Sequence, residues 1–156
     1  MANEIQLKLD AVTALTISLA SLTTGSAQQS TLVANSNQRP GAIVFVQIKS
    51  GGTGPTAGAV YEIYLIRGDD PSSSSYRSDA AGATDAAITI ENAALLGTIR
   101  VTNTANKKFY AEFDTARLGP LGAEWGIAVK NVSGQTLNAT GSDHFVKYRY
   151  YVPEVQ

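Results

Sequence analysis

Residues 42–67 read AIVFVQIKSGGTGPTAGAVYEIYLIR, and this stretch decides the fold. Ala42–Lys49 is a short, almost wholly apolar run, and Ala59–Arg67 is β-branched and aromatic, the residue types that pack best on a pleated surface. Between them, Ser50–Gly58 holds four glycines and a proline in nine residues, which reads as a flexible loop. Two short apolar runs separated by such a break are strands. The first is expected to be buried on both faces early and half-exposed late.

The same period of two recurs outward in both directions. Ile5, Leu7 and Leu9 alternate with Glu4, Gln6, Lys8 and Asp10, and Leu15, Ile17 and Leu19 follow after a break at 11–14. Ser30–Ala34 is a short strand candidate, followed by a turn at Asn35–Gly41 whose Asn, Ser, Pro and Gly supply turn dihedrals and local hydrogen bonds. On the C-terminal side, strands are expected at Ile88–Glu91, Leu96–Thr102, Phe109–Asp114, Glu124–Asn131 and Asp143–Val152, the last ended by Pro153. One helical turn is expected within Glu91–Leu95. Residues 68–87, with Ser72–Ser75, are expected to form a mobile or outward-facing loop. The sum is an all-β chain of roughly eight to ten strands with little or no helix. Long cross-connections at 50–58, 68–87 and 114–123 favour a jelly-roll-like β-sandwich over an immunoglobulin sandwich. One β-sandwich domain is expected over residues 1–156, with residues 1–12 as an N-terminal arm or an edge strand.

Composition limits the chemistry. The chain has 156 residues, no cysteine and one histidine, His144, so disulfides, thiolate metal sites, cysteine nucleophiles and two-imidazole mechanisms are excluded. Twelve basic and thirteen acidic residues give a net charge of −1, which argues against nucleic acid as a partner. Charged residues make up only 16%, against about 25% in an average domain, so the surface is neutral, as in proteins that live in assemblies. No apolar stretch is long enough for a membrane helix. The run Ala11–Leu22 lacks a basic leader and alternates like a strand, so it is not expected to be a secretory signal.

Several residue groups have the composition of a site. Arg67-Gly68-Asp69 spells an adhesion tripeptide but also fits a strand-exit turn. Asp69, Asp70, Asp79 and Asp85 cluster in one loop without the spacing of a calcium loop, and read as solvated. Ser142, Asp143 and His144 are neighbours along the chain, which point to opposite faces of a strand and so form no triad. Glu112, Asp114 and Glu124 read as exposed strand-face acids, since nothing fixes a paired geometry. Gly51-Gly52-Thr53-Gly54 lacks the Lys-Ser/Thr of a phosphate loop. Asn131-Val132-Ser133 and Asn138-Ala139-Thr140 are glycosylation acceptors only in a secretory context. Lys147, Tyr148, Arg149, Tyr150 and Tyr151 interleave base and aromatic, as a stacking platform would and as a subunit interface would. These readings leave no catalytic residue, metal site or cofactor, and an enzyme is not expected. The candidate shell or subunit contacts are Ile5, Leu7, Leu9, Tyr148, Tyr150 and Tyr151.

The run FYAEFDTARLGPLGAEWGIAVKN at 109–131, preceded by YEIYLIRGDD and LLGTIRVT, with HFVKYRYYVPEVQ at the end and IQLKLD leading to LTISLASL at the start, resembles small β-rich head proteins of tailed bacteriophages and prophages. The resemblance implies a capsid decoration or cement protein, made in the host cytoplasm and seated on the outside of the head. Its implied partners are the major capsid protein and itself, as a homotrimer. The alternative reading is a tail-fibre or spike adhesion module that binds host glycans through Tyr148, Tyr150 and Tyr151.

Overall fold

The computed structural model of the chain describes residues 5–69, 77–80 and 82–155. Eleven strands lie in this part: β1 Ile5–Leu9, β2 Thr13–Leu15, β3 Ala27–Gln29, β4 Val33–Ala34, β5 Gly41–Lys49, β6 Val60–Gly68, β7 Ala86–Ile88, β8 Ala94–Arg100, β9 Lys108–Asp114, β10 Glu124–Val132 and β11 Phe145–Val155. The helical content in this part is two 3-10 segments, Thr115–Leu118 and Gly141–Asp143. Asp114 caps the first by accepting from the Ala116 N–H.

The pairing is nested and antiparallel throughout. β1 and β2 pair with β11, β3 and β4 with β10, β5 with β9, and β6 with β8. Such a nested ribbon, rolled over on itself, puts alternate pairs in opposite sheets. The five-stranded sheet runs β1-β11-β5-β9 with β2 also on β11, and the six-stranded sheet runs β7-β3-β10-β6-β8 with β4 also on β10. This is the jelly-roll arrangement of a β-sandwich. Strand periodicity fills the space between the sheets: Val44, Val46, Ile48, Phe109, Phe113, Val146 and Tyr148 face Tyr61, Ile63, Leu65, Leu96, Trp125, Ile127 and Val129. Each such side chain contributes about 1.5–3 kcal/mol by leaving water.

Four expectations are corrected. First, β5 alternates early, with Ala42, Val44 and Val46 buried and Ile43 and Phe45 half-buried, and is buried on both faces late, at Val46–Ile48. The reason is Gln47, whose amide is covered as it donates to the Asp143 carbonyl (2.7 Å). Second, the strand expected through Leu19 stops at Leu15, although Leu15 and Leu19 are buried and Thr16 and Ser18 exposed. The chain there crosses toward the other sheet, and the Thr31 N–H donates to the Thr16 carbonyl (2.8 Å). Third, Glu91–Leu95 forms no helical turn, because the Asp79 carboxylate gathers the N–H groups of Glu91, Asn92 and Ala93.

Fourth, Pro153 does not end the last strand. β11 runs on to Val155 and pairs with β1 in the register Leu9↔Tyr151, Leu7↔Pro153, Ile5↔Val155. Asp10 donates its N–H to the Tyr150 carbonyl (2.9 Å), so 10/150, 8/152 and 6/154 are the hydrogen-bonded pairs and 7/153 is not. The missing N–H of Pro153 therefore points away from β1. On that side β5 has already ended, its last partner being Tyr151 opposite Gly41, so no ladder bond is lost.

Candidate functional site

The faces of the sandwich that look away from the core differ. On the six-stranded sheet, Glu124, Gly126 and Ala128 of β10 share the outward face and are nonetheless buried. Added bulk at Gly126 would strike the Leu32 side chain, which lies across it. Over Glu124 lies Arg77, at a bridge between Arg77 and Gly68. The Arg77 guanidinium holds the Glu124 carboxylate through both Nε and Nη2 (Nη2–Oε2 3.2 Å), and Glu124 is only 2% exposed. Gly68 must be glycine, since a Cβ would collide with the Glu124 carboxylate. Glu124 is thus a buried ion-pair partner, correcting its reading as an exposed acid.

The outward face of the five-stranded sheet has no such cover from the described residues. Register sets its rows. Phe145, Gln47 and Tyr110 lie in line across β11, β5 and β9, then Lys147, Phe45 and Glu112, then Arg149, Ile43 and Asp114. Tyr110 is 63% exposed. Lys147 Nζ sits 4.7 Å from the Phe145 ring centre and the Arg149 guanidinium 5.4 Å from that of Phe45, both cation–π contacts. Phe45, Val46, Tyr110, Ala111, Glu112 and Phe145 line a shallow depression of about 310 Å³. Tyr151 shares this face. Its hydroxyl donates to Asp114 (2.7 Å), and burial followed by that carboxylate pushes its pKa up to about 12.

Tyr148 and Tyr150 are on the opposite face, with Val146. Tyr148 is 6% exposed and packs edge-on against Trp125 (5.0 Å between ring centres) and Tyr150 (5.1 Å). The Trp125 indole N–H donates to the Tyr150 hydroxyl (2.9 Å), tying the two sheets together. Tyr148 is therefore core and not a shell or subunit contact, half-buried Tyr150 is turned inward, and with Tyr151 they form no common platform for a glycan. Sequence parity alone carried this signal: residues 146, 148 and 150 share one face and 145, 147, 149 and 151 the other.

Of the N-terminal candidates, Leu7 is 62% exposed and Leu9 44%, while Ile5 has a described backbone position in β1 but its side chain lies outside the described residues. Beyond Tyr151, β11 has β1 alone for a neighbour, so the two make a two-stranded ribbon. The ribbon is fastened at its root, where Asp10 pairs with Arg39 (3.0 Å).

The remaining candidates have structural occupations. Arg67 donates to the Leu118 carbonyl (2.5 Å) and pairs in β6 opposite Trp125, so Arg67-Gly68-Asp69 is a strand exit and not a displayed tip. Asp79 and Asp85 are half-exposed, and each carboxylate also has protein partners. Burial alone would raise the Asp79 pKa, but N–H bonds from Ala93, Glu91 and Asn92 outweigh it and hold the carboxyl below its ordinary range. Asp85 accepts from Ser18 (2.5 Å) and Gln28. Asp70 and Ser72–Ser75 lie outside the described residues. Among the described residues, no three acidic or histidine side chains converge as metal ligands would.

His144 is 8% exposed, with Nδ1 accepting from the Lys49 N–H (3.2 Å) and Nε2 against the Asn138 carbonyl (2.9 Å), which fits the neutral ring with its proton on Nε2. Burial lowers its pKa. Neighbouring Asp143 turns to Lys49 (2.7 Å) and Lys108 (3.3 Å), away from any triad. Glu112 and Asp114 sit in the sheet opposite Glu124, each sheet's acids apart from the other's. The 51–54 loop uses its glycines for close backbone approach, to the Thr136 carbonyl at Gly51 and the Asn103 carbonyl at Gly54. Asn131 is fully buried, its amide donating to the Leu22 and Gln135 carbonyls. Compared with known proteins, the chain matches no family model and no curated protein sequence.

Proposed function

We propose that this protein is a structural, non-enzymatic component of a tailed-phage virion, a decoration protein that docks on the outside of the head as a homotrimer and stabilises it. The observation that supports this reading is the asymmetry of the two outward faces. The chain covers the Glu124–Ala128 part of its six-stranded sheet with its own residues, whereas the described residues lay no such cover over the five-stranded sheet. The open face displays Phe45, Tyr110, Phe145 and Arg149, residue types enriched at protein interfaces, beside Lys147 and Glu112, which suit a polar rim. Lys147 and Arg149 occupy the Phe145 and Phe45 rings, which leaves a flat mixed surface suited to a protein partner more than a row of free rings for sugars. Several modest contacts per oligomer would act together on a repeating shell.

The test mixes purified protein with heads that lack it and then heats them. Decorated heads should release their DNA at a higher temperature than bare heads. Tyr110→Ala should weaken binding by about tenfold or more, as an exposed aromatic anchor does, without moving the melt of the free protein. No association at micromolar protein defeats the proposal.

A further inference from the structure

β1 forms a ladder with one strand only, the part of β11 that overhangs the sandwich, and its described side chains, Leu7, Lys8 and Leu9, take no part in the core cluster. Leu7, Leu9 and Val12 (62%, 44% and 51% exposed) are half of the six large exposed hydrophobics among the described residues, and all three lie on or beside this ribbon. A lone two-stranded ribbon is marginal in water. The connector to the body, Ala11 and Val12, is exposed and lies between the last bond of the arm, Asp10 to Tyr150, and the first pair of β2, Thr13 opposite Tyr148.

From these observations we infer that residues 5–10 are an exchangeable arm, which pairs with the β11 overhang of a second copy of this chain. The bonds described for the arm can be made identically in another copy: the ladder from Leu9↔Tyr151 to Ile5↔Val155, the Asp10 N–H to the Tyr150 carbonyl, and the Asp10–Arg39 ion pair. The exchange therefore keeps each of these bonds and redirects Ala11 and Val12. It brings two overhangs together, so the leucines of one ribbon gain the apolar cover that their own chain does not supply. Swapping an identical element is a low-cost route to an oligomer. The second copy is the occupant because the complement of the arm is already written in this chain. The overhang offers β1 its bonded edge at 152 and 154 and turns the N–H-less side of Pro153 away.

The chain has no cysteine, so the arm can be trapped cleanly. Lys8 and Val152 are a hydrogen-bonded pair whose Cα atoms are about 5.5 Å apart, within disulfide reach. In the Lys8→Cys/Val152→Cys variant, oxidation should give covalent multimers on a non-reducing gel, at about two or three times 16.4 kDa. A monomer closed by an internal disulfide overturns the inference, and so does failure to cross-link in a protein that melts normally. If that variant does not fold, Gln6→Cys/Glu154→Cys traps the next bonded pair and is read the same way. No heads are present, so the result is independent of whether the protein decorates a shell.

Discussion

The terminal ribbon and the long connection between β6 and β8 invert what their compositions suggest. Ile5–Leu9 has the cleanest apolar alternation near the start of the chain, yet its leucines face solvent and it leans on one neighbour. Residues 77–88 are mostly small, with five alanines and no apolar alternation, yet their described members are held at many points. Arg77 grips buried Glu124, Asp79 gathers three N–H groups, Asp85 takes Ser18 and Gln28, and the Gln29 amide donates to the carbonyls of Gly82 (2.9 Å) and Thr84 (2.6 Å). The described part of the loop expected to be mobile or outward-facing is therefore a fastened cover on the outer side of the six-stranded sheet. Apolar alternation states which face of a strand wants cover, whereas polar side chains decide where a segment is fixed, because each buried partner left unmade is costly.

This contrast can be broken most decisively at Arg77. Arg77→Ala leaves Glu124 as a buried, uncompensated carboxylate and should cost about 3 kcal/mol, seen as a fall in melting temperature of roughly 6–12 °C. A change under one or two degrees would mean that the cover is not fastened there. Asp79→Ala comes next. It frees three N–H groups near the surface and should cost about 1–2 kcal/mol, with faster hydrogen exchange confined to residues 77–93.

Acid should separate the body from the cover. His144 has a lowered pKa in the fold, so its contribution is intact above 6.5 and is lost as pH falls below that value, where the unfolded chain takes up the proton first. Asp79 and Asp143, held below the ordinary 3.8, keep their contributions until pH falls through that region. Melts between pH 7 and 5 should therefore decline with a slope that His144→Gln flattens, while exchange in 77–93 stays slow until pH nears 4. The smallest effect is expected at the arm. Deleting residues 1–10 should change the stability of the sandwich by less than about 1 kcal/mol, the scale of surface changes. Loss of the cooperative melt would show that the ribbon is part of the body.

The long strands were legible because their runs carry the pattern directly: β5, β6, β9 and β10 lie within a residue or two of where the sequence puts them. β3 was not, because Ala27-Gln28-Gln29 has no apolar alternation and is buried through amide bonds to a loop more than fifty residues away. Burial of Glu124 was hidden for the same reason, as its partner is distant in sequence. Pro153 misled because a proline reads as a stop until the strand beside it is known to have ended. For the tyrosines the signal was present: Tyr148 and Tyr150 share the parity of Val146, and following that parity places them inside. The open face of the five-stranded sheet needed the register of three strands from three parts of the chain, which no local pattern contains.

Nested pairing also has a consequence for the order of events in folding. β11 lies between β1 and β5, yet it is the latest-made of the eleven strands. While the chain is being synthesised, β5 can find β9, and β6 can find β8 and β10, but β1 and β2 have no ladder until β11 emerges. Closing that pair joins segments about 140 residues apart, the kind of non-local contact that makes β-sandwiches slow to fold. Until then the apolar edge of β5 stands open at the ribosome, so a chaperone that shields a single strand edge should raise the yield of this protein more than one that shields helices.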